Sequence, residues 1–111
     1  MRVGPNTTPK FLPSSAASCR RRSSAPELEP GQASAPHRHP GPVFGYVLEG
    51  QYEWAIDDQP AKTLKAGETF YEPTRCLHRV SKNSGKTRTR VLAVVLHPHD
   101  AKQIVMPEPH K

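Results

Sequence analysis

The chain has 111 residues, 16 of them basic and 10 acidic, for a formal charge of +6. That length holds one domain at most. No apolar run resembles a signal h-region or a membrane span, so secretion has no support and no membrane partner is expected.

The charge is uneven. Residues 1–26 carry Arg2, Lys10, Arg20, Arg21 and Arg22 and no acid, which leaves 11 basic against 10 acidic residues, or +1, in the remainder. The basicity therefore belongs to an arm and not to the body. With no aromatic-and-basic platform, a nucleic-acid partner is not expected. The arm is rich in Ser, Thr, Pro and Gly and has only Phe11-Leu12 as an apolar nucleus, too little to offset its ordering entropy. It is expected to be disordered. Its Arg- and Ser-rich composition also fits an organellar targeting segment, so a cytoplasmic location is the default and organellar targeting the alternative. Cys19 lies in the arm and Cys76 in the body, which makes no disulfide framework and fits a reducing compartment.

After Pro26 the chain reads as short strands with closely spaced turn signals. Residues 27–29 are a brief strand ended by Pro30-Gly31. Residues 43–49 are apolar and aromatic up to Gly50. Residues 51–57 alternate Tyr52, Trp54 and Ile56 against polar neighbours, the period of a half-buried strand. Residues 62–65 form an edge-like strand, 69–71 a strand closed by Pro73, and 76–81 another before the loop at 82–86. Residues 91–96, the most β-branched run, are expected to form a central buried strand, and 104–106 a final short one. About seven short strands and no helical period predict an all-β antiparallel sandwich or barrel. The core is small, so a homodimer is expected. The predicted organisation is a basic arm at 1–26, a barrel domain at 27–106 and a tail at 107–111.

The chemistry points to His37-Arg38-His39. On a strand, residues i and i+2 face the same way, so two imidazoles project together and a nitrogen from another strand completes a metal site. His78 is the third candidate. Gly31 stands six positions before His37, and the strand after His39 ends at Gly50. Gly67 then stands six positions before Pro73, with His78 following.

This spacing resembles the two motifs of the cupin superfamily, G-x5-H-x-H-x3-E-x6-G and G-x5-P-x-G-x2-H-x3-N. The stretch PHRHPGPVFGYVLEG is similar to small single-domain cupins of the type-2 group, and the resemblance covers residues 27–106. It implies a double-stranded β-helix (the cupin, or RmlC-like, jelly-roll barrel). It also implies a divalent ion (iron, manganese, zinc or nickel) on His37, His39 and His78, and a small-molecule ligand. Dioxygenase-like, isomerase-like and decarboxylase chemistries all occur on this fold, so no catalytic residue is assigned.

Three positions depart from the pattern. Val43 replaces the motif glutamate, Arg75 replaces a turn glycine, and Asn83 comes one place late. Arg75 is tolerable if that turn needs no positive φ. Without the glutamate, three neutral imidazoles would leave a bound divalent ion at +2, which raises its Lewis acidity. Glu72 and Glu49 are substitute carboxylates, Glu72 ranking first because its strand leads into the His78 turn; a solvated strand-end role is the expectation for each. Glu72, Tyr71 and Tyr46 are the general acid or base candidates.

Phe44, Tyr46, Tyr52, Trp54 and Phe70 are read as core, or else as pocket lining. Cys76 is read as a small buried hydrophobe in preference to a redox thiol. Arg75 and Arg79 are read as solvated charges in preference to anion holders, His97 and His99 as a surface loop, and His110 as tail. Function divides between a metal-dependent oxygenase acting on a small organic molecule and a non-catalytic binding module. A third reading is an inactive remnant whose short arm leaves a barrel edge open.

Overall fold

The structure, a computed structural model, describes residues 19–109; residues 1–18, with Phe11-Leu12, and 110–111, with His110, lie outside the described residues. The described residues form ten strands: β1 (Cys19–Ser24), β2 (Glu27–Leu28), β3 (His37–Arg38), β4 (Val43–Glu49), β5 (Gln51–Ile56), β6 (Lys62–Lys65), β7 (Thr69–Glu72), β8 (His78–Lys82), β9 (Thr89–Pro98) and β10 (Met106–Pro107). They build two five-stranded sheets. One runs β1-β9-β4-β7 with β2 also on β9, and the other runs β10-β3-β8-β5-β6. Every pairing is antiparallel. The sheets face each other as a double-stranded β-helix.

Alternation along the strands decides what lies between the sheets. In β4, Val43, Gly45 and Val47 turn inward while Phe44, Tyr46 and Leu48 turn outward. Val91 and Val95 of β9 join them from one sheet, and Tyr52, Trp54, Ile56 and Leu64 close the core from the other. Phe70 is registered opposite Gly45, and its ring lies where a side chain at 45 would stand: a Cβ there would meet the ring at 2.0 Å. The ring also packs on Tyr52 and Trp54 at centroid separations of 5.5 and 5.4 Å. Each such pair contributes about 0.5–1.5 kcal/mol beyond area burial.

Two expected boundaries shift. The disordered arm does not extend to residue 26: Cys19–Ser24 pairs residue for residue with β9, from Cys19 opposite Pro98 to Ser24 opposite Ala93. Composition misjudged this segment because main-chain pairing at a sheet edge needs no apolar side chain. With β1 and β2 on β9, the edge that the remnant reading left open is covered among the described residues. At the other end, the last strand is Met106–Pro107 and not 104–106. It pairs with β3, and the Arg38 guanidinium grips Glu108 through Nε at 3.0 Å and Nη2 at 3.2 Å. The ordered domain thus runs beyond 106.

The turns hold the site strands in place. Gly31, Gly50 and Gly67 all have positive φ. At Gly50, between β4 and β5, a Cβ would also meet the Arg88 carbonyl at 2.4 Å, so only glycine fits. The residue 73–77 turn does use positive φ: Arg75 sits at +63° where the family pattern has glycine. The condition on which the change to Arg75 is tolerable, a turn without positive φ, is therefore not met. The conformation is held by hydrogen bonds, Arg75 N–H to the His39 carbonyl at 3.0 Å and Arg38 Nη1 to the Arg75 carbonyl at 2.7 Å. A left-handed non-glycine residue costs about 1 kcal/mol. Arg75→Gly is therefore expected to raise the melting temperature by a few degrees, read by calorimetry. A lower value would show that the Arg75 side chain contributes more than its backbone costs.

Candidate metal centre

The three histidines arrive from two adjoining strands of one sheet. His37 in β3 is paired directly with His78 in β8, and His39 follows two residues on. Their ring centroids lie 4.8 Å apart for His37–His39 and 4.8 Å for His37–His78. The start of β8 is pinned by Asp57, whose N–H donates to the Leu77 carbonyl while its Oδ1 accepts from Leu77 N–H. The Arg79 guanidinium donates to the Asp57 and Gln59 carbonyls, so it staples the turn between β5 and β6 and does not hold an anion.

Hydrogen bonds settle two tautomers. His37 Nδ1 lies 2.7 Å from the Ala35 carbonyl, and His39 Nδ1 lies 2.7 Å from the Ile104 carbonyl. A carbonyl can only accept, so each Nδ1 carries the proton and each neutral ring keeps its Nε2 lone pair free. Burial lowers the His39 pKa, and it lowers that of His78 to about 3, with the neighbouring His37 and His39 adding to the shift. His39 and His78 are neutral at neutral pH, the form that ligates metal. One potential ligand atom from each of His37, His39 and His78 falls within a cluster whose members lie within 4.8 Å of one another.

Glu72 stands against this cluster and is 2% exposed. The expectation of a solvated carboxylate is overturned. Its Oε2 accepts from the Trp54 indole N–H at 3.0 Å and lies 3.1 Å from His78 Nδ1; its Oε1 lies 4.0 Å from His39 Nε2. Neither Glu72 Oε1 nor His78 Nδ1 has a hydrogen-bond partner, despite complete burial of both atoms. Such groups are costly unless something pairs with them. A cation would satisfy both, so the donor set fits a divalent metal ion. Burial raises the Glu72 pKa to about 7, with the Trp54 hydrogen bond partly opposing. Glu49, by contrast, is half-buried at the strand end and paired with Arg88 at 3.0 Å.

The histidines and Glu72 open onto a cavity of about 520 Å³ between the sheets, walled by Leu28, Val43, Tyr52, Phe70, Val91, Val95 and Ile104 among others. Tyr52 and Phe70 thus line the cavity as well as the core. Phe44, Tyr46 and Tyr71 are on the outer face at 50%, 40% and 50% exposure, which removes both tyrosines as acid or base candidates. Cys76 is half-buried, and burial pushes its thiol up to about 11, so it stays protonated and inert. His97 lies at the end of β9 and His99 in the turn beyond, away from the cluster. The Tyr52–Ser81 pair was missed from sequence: the phenol lies 2.6 Å from Ser81 Oγ and 3.3 Å from His78 Nε2. Its signal was there, since Tyr52 and Trp54 share the inward face of one alternating strand.

Fold and site together define a double-stranded β-helix with a histidine cluster lining its cavity. The cupin-domain family profile matches residues 27–95, and the chain belongs to the cupin family. No curated protein sequence matches it. Among solved structures it is similar to a conserved protein with a double-stranded β-helix domain from Klebsiella pneumoniae, at 24% identity and a TM-score of 0.66, covering 79% of this chain and 76% of that one. It is similar to a predicted oxalate decarboxylase from Thermotoga maritima, at 23% identity and a TM-score of 0.62, covering 77% and 71%. It also resembles an oxalate oxidase, at 22% identity and a TM-score of 0.67, covering 78% of this chain and only 45% of that one. These likenesses establish the fold.

The raised Glu72 pKa has a stability consequence. The unfolded carboxyl releases its proton near 4.5, while the folded one holds it to about 7. The metal-free protein therefore loses stability as pH rises from 4.5 to 7, on the order of a few kcal/mol. His78 acts oppositely below 6.5, and it is retained in both proteins of a comparison. In chelator, the melting-temperature advantage of Glu72→Gln over the parent is expected to grow from pH 4.5 to 7 and then level off. A constant difference across that range would refute the shift.

Proposed function

We propose that this chain is a small metal-binding cupin in which His37, His39 and His78 hold one divalent ion, iron, manganese, zinc or nickel. The cavity then admits a small organic molecule on which the protein acts as an oxygenase. The observation that carries it is the convergence of three imidazoles on one side of a cavity, two of them hydrogen-bonded through Nδ1 to backbone carbonyls, which leaves Nε2 for a metal. Such second partners orient metal-ligating histidines and raise their basicity. When bound, the ion would supply Lewis acidity and, if redox-active, electron transfer.

The chain's own groups set what can enter. Apolar walls and Phe70 exclude water and favour an apolar body, while Tyr52, held by Ser81, offers a hydroxyl beside His78. Among the described residues, Arg22 is the one Lys or Arg lining the cavity. That environment suits oxalate, a compact dianion, poorly, so the substrate of the oxalate-handling neighbours is not carried over. The second reading, a binding module without turnover, is supported by the lining itself, where Glu72 is the sole carboxylate among the described residues.

Elemental analysis of purified protein is expected to give about one metal per chain, and His78→Ala to lose most of it. Full metal content in His78→Ala would remove His78 from the ligand set. Oxygen uptake by the iron form with an added small molecule would exclude the second reading.

We further propose a homodimer, with the cytoplasm as the default compartment; among the described residues no helix is long and apolar enough to cross a membrane. Support for the dimer comes from the outer face of β4, β7 and β9. There Phe44 opposes Tyr71 and Val94, and Tyr46 opposes Leu92, leaving a contiguous exposed apolar patch. Monomers rarely leave such a patch bare. Light scattering is expected to give twice the chain mass, falling to one for Phe44→Asp; a monomeric parent at tens of micromolar would overturn the dimer.

A further inference from the structure

The glutamate missing from the first motif has a counterpart across the sheet. Val43, which occupies that motif position, is paired directly with Glu72 of β7. Directly opposed residues of an antiparallel pair send their side chains to the same face with Cβ atoms about 5 Å apart. Both residues point inward and both are 2% exposed. A glutamate from either strand therefore reaches the same region of the cavity wall.

Resting on the reading of a three-histidine metal centre, we propose that Glu72 is the fourth protein ligand, its carboxylate supplied from β7 in place of the one lost at Val43 on β4. The Trp54 indole N–H occupies Oε2 and so fixes the carboxylate, leaving Oε1 buried, unpartnered and facing the histidines. Oε1 lies 4.0 Å from His39 Nε2, within the span of two atoms each about 2.1 Å from a shared ion. Trp54 is the chain's only tryptophan and sits two residues along β5 from Tyr52, so one inward strand face positions both the carboxylate and the His78 neighbour. The charge arithmetic changes with it. Three neutral imidazoles and one carboxylate leave a divalent ion at +1 instead of +2, which lowers its appetite for anionic ligands and strengthens its retention.

The test titrates chelator-stripped full-length protein with Co²⁺ and reads affinity and the visible d–d spectrum. Glu72→Gln is expected to weaken Co²⁺ at least ten-fold and to change the spectrum, while the metal-free variant melts at or above the parent temperature. Val43→Glu combined with Glu72→Val, which moves the carboxylate back across the pair, is expected to recover affinity to within a few-fold of the parent, whereas Glu72→Val alone does not. Unchanged affinity and spectrum in Glu72→Gln would overturn the proposal and leave the three-histidine site standing. Weakened binding with an unchanged spectrum would also overturn it, making Glu72 a positioning residue for His78. A parent protein that binds no Co²⁺ would overturn the underlying metal reading instead.

Discussion

The site depends on a single cross-strand pair, His37 opposite His78. β3 is only two residues long, and its place in the sheet is set by β8 on one side and β10 on the other. A one-residue slip of β3 would turn His37 and His39 away from His78, because side chains alternate faces at every step. The fold guards that register from several directions. Arg38, between the two histidines, faces away and grips Glu108 and the Arg75 carbonyl. Asp57 ties down Leu77 at the head of β8. Asn83, fully buried, closes its far end by donating to the Leu28 and Thr87 carbonyls.

Desolvation then gives the cluster its character. A histidine driven to about 3 and a carboxyl raised to about 7 are both held away from the charge state that water would favour. Neither shift stabilises the metal-free chain. They describe a cavity that keeps nitrogens unprotonated and a carboxyl poorly solvated, conditions in which a cation is the natural complement. The cost is borne by a scaffold whose core is otherwise apolar and stacked, with Phe70, Tyr52 and Trp54 in mutual contact beside the polar groups.

Departures from the family pattern read differently once the strands are in place. Arg75 keeps the left-handed turn its glycine counterpart would adopt, because hydrogen bonds to His39 and from Arg38 hold it there. Asn83 arrives one residue late yet still binds two carbonyls, since a loop tolerates an offset that a strand does not. Val43 is the substantive change, and it lies directly across from Glu72, the buried carboxylate that lines the cavity.

Much of this was readable from residues alone. The turn residues around Gly50 and Gly67, the alternation of Tyr52, Trp54 and Ile56, and the His-x-His pair follow from local stereochemistry, which every residue carries with it. The spacing of the histidines to their glycines and Pro73 placed His78 with them, because it repeats a family pattern. Pairing between distant strands is not a local property. Strand β1 is a run of arginines and serines whose partner lies some seventy residues away, and nothing in its composition announces an edge. Glu72 outranks Glu49 in sequence only because its strand leads into the His78 turn; that it is a buried neighbour of three histidines follows from β7 lying beside β4. The sequence by itself determined which residues could form strands, turns and a histidine site. Only the tertiary structure decided which carboxylate faces them, because burial and register are properties of the assembled sheets.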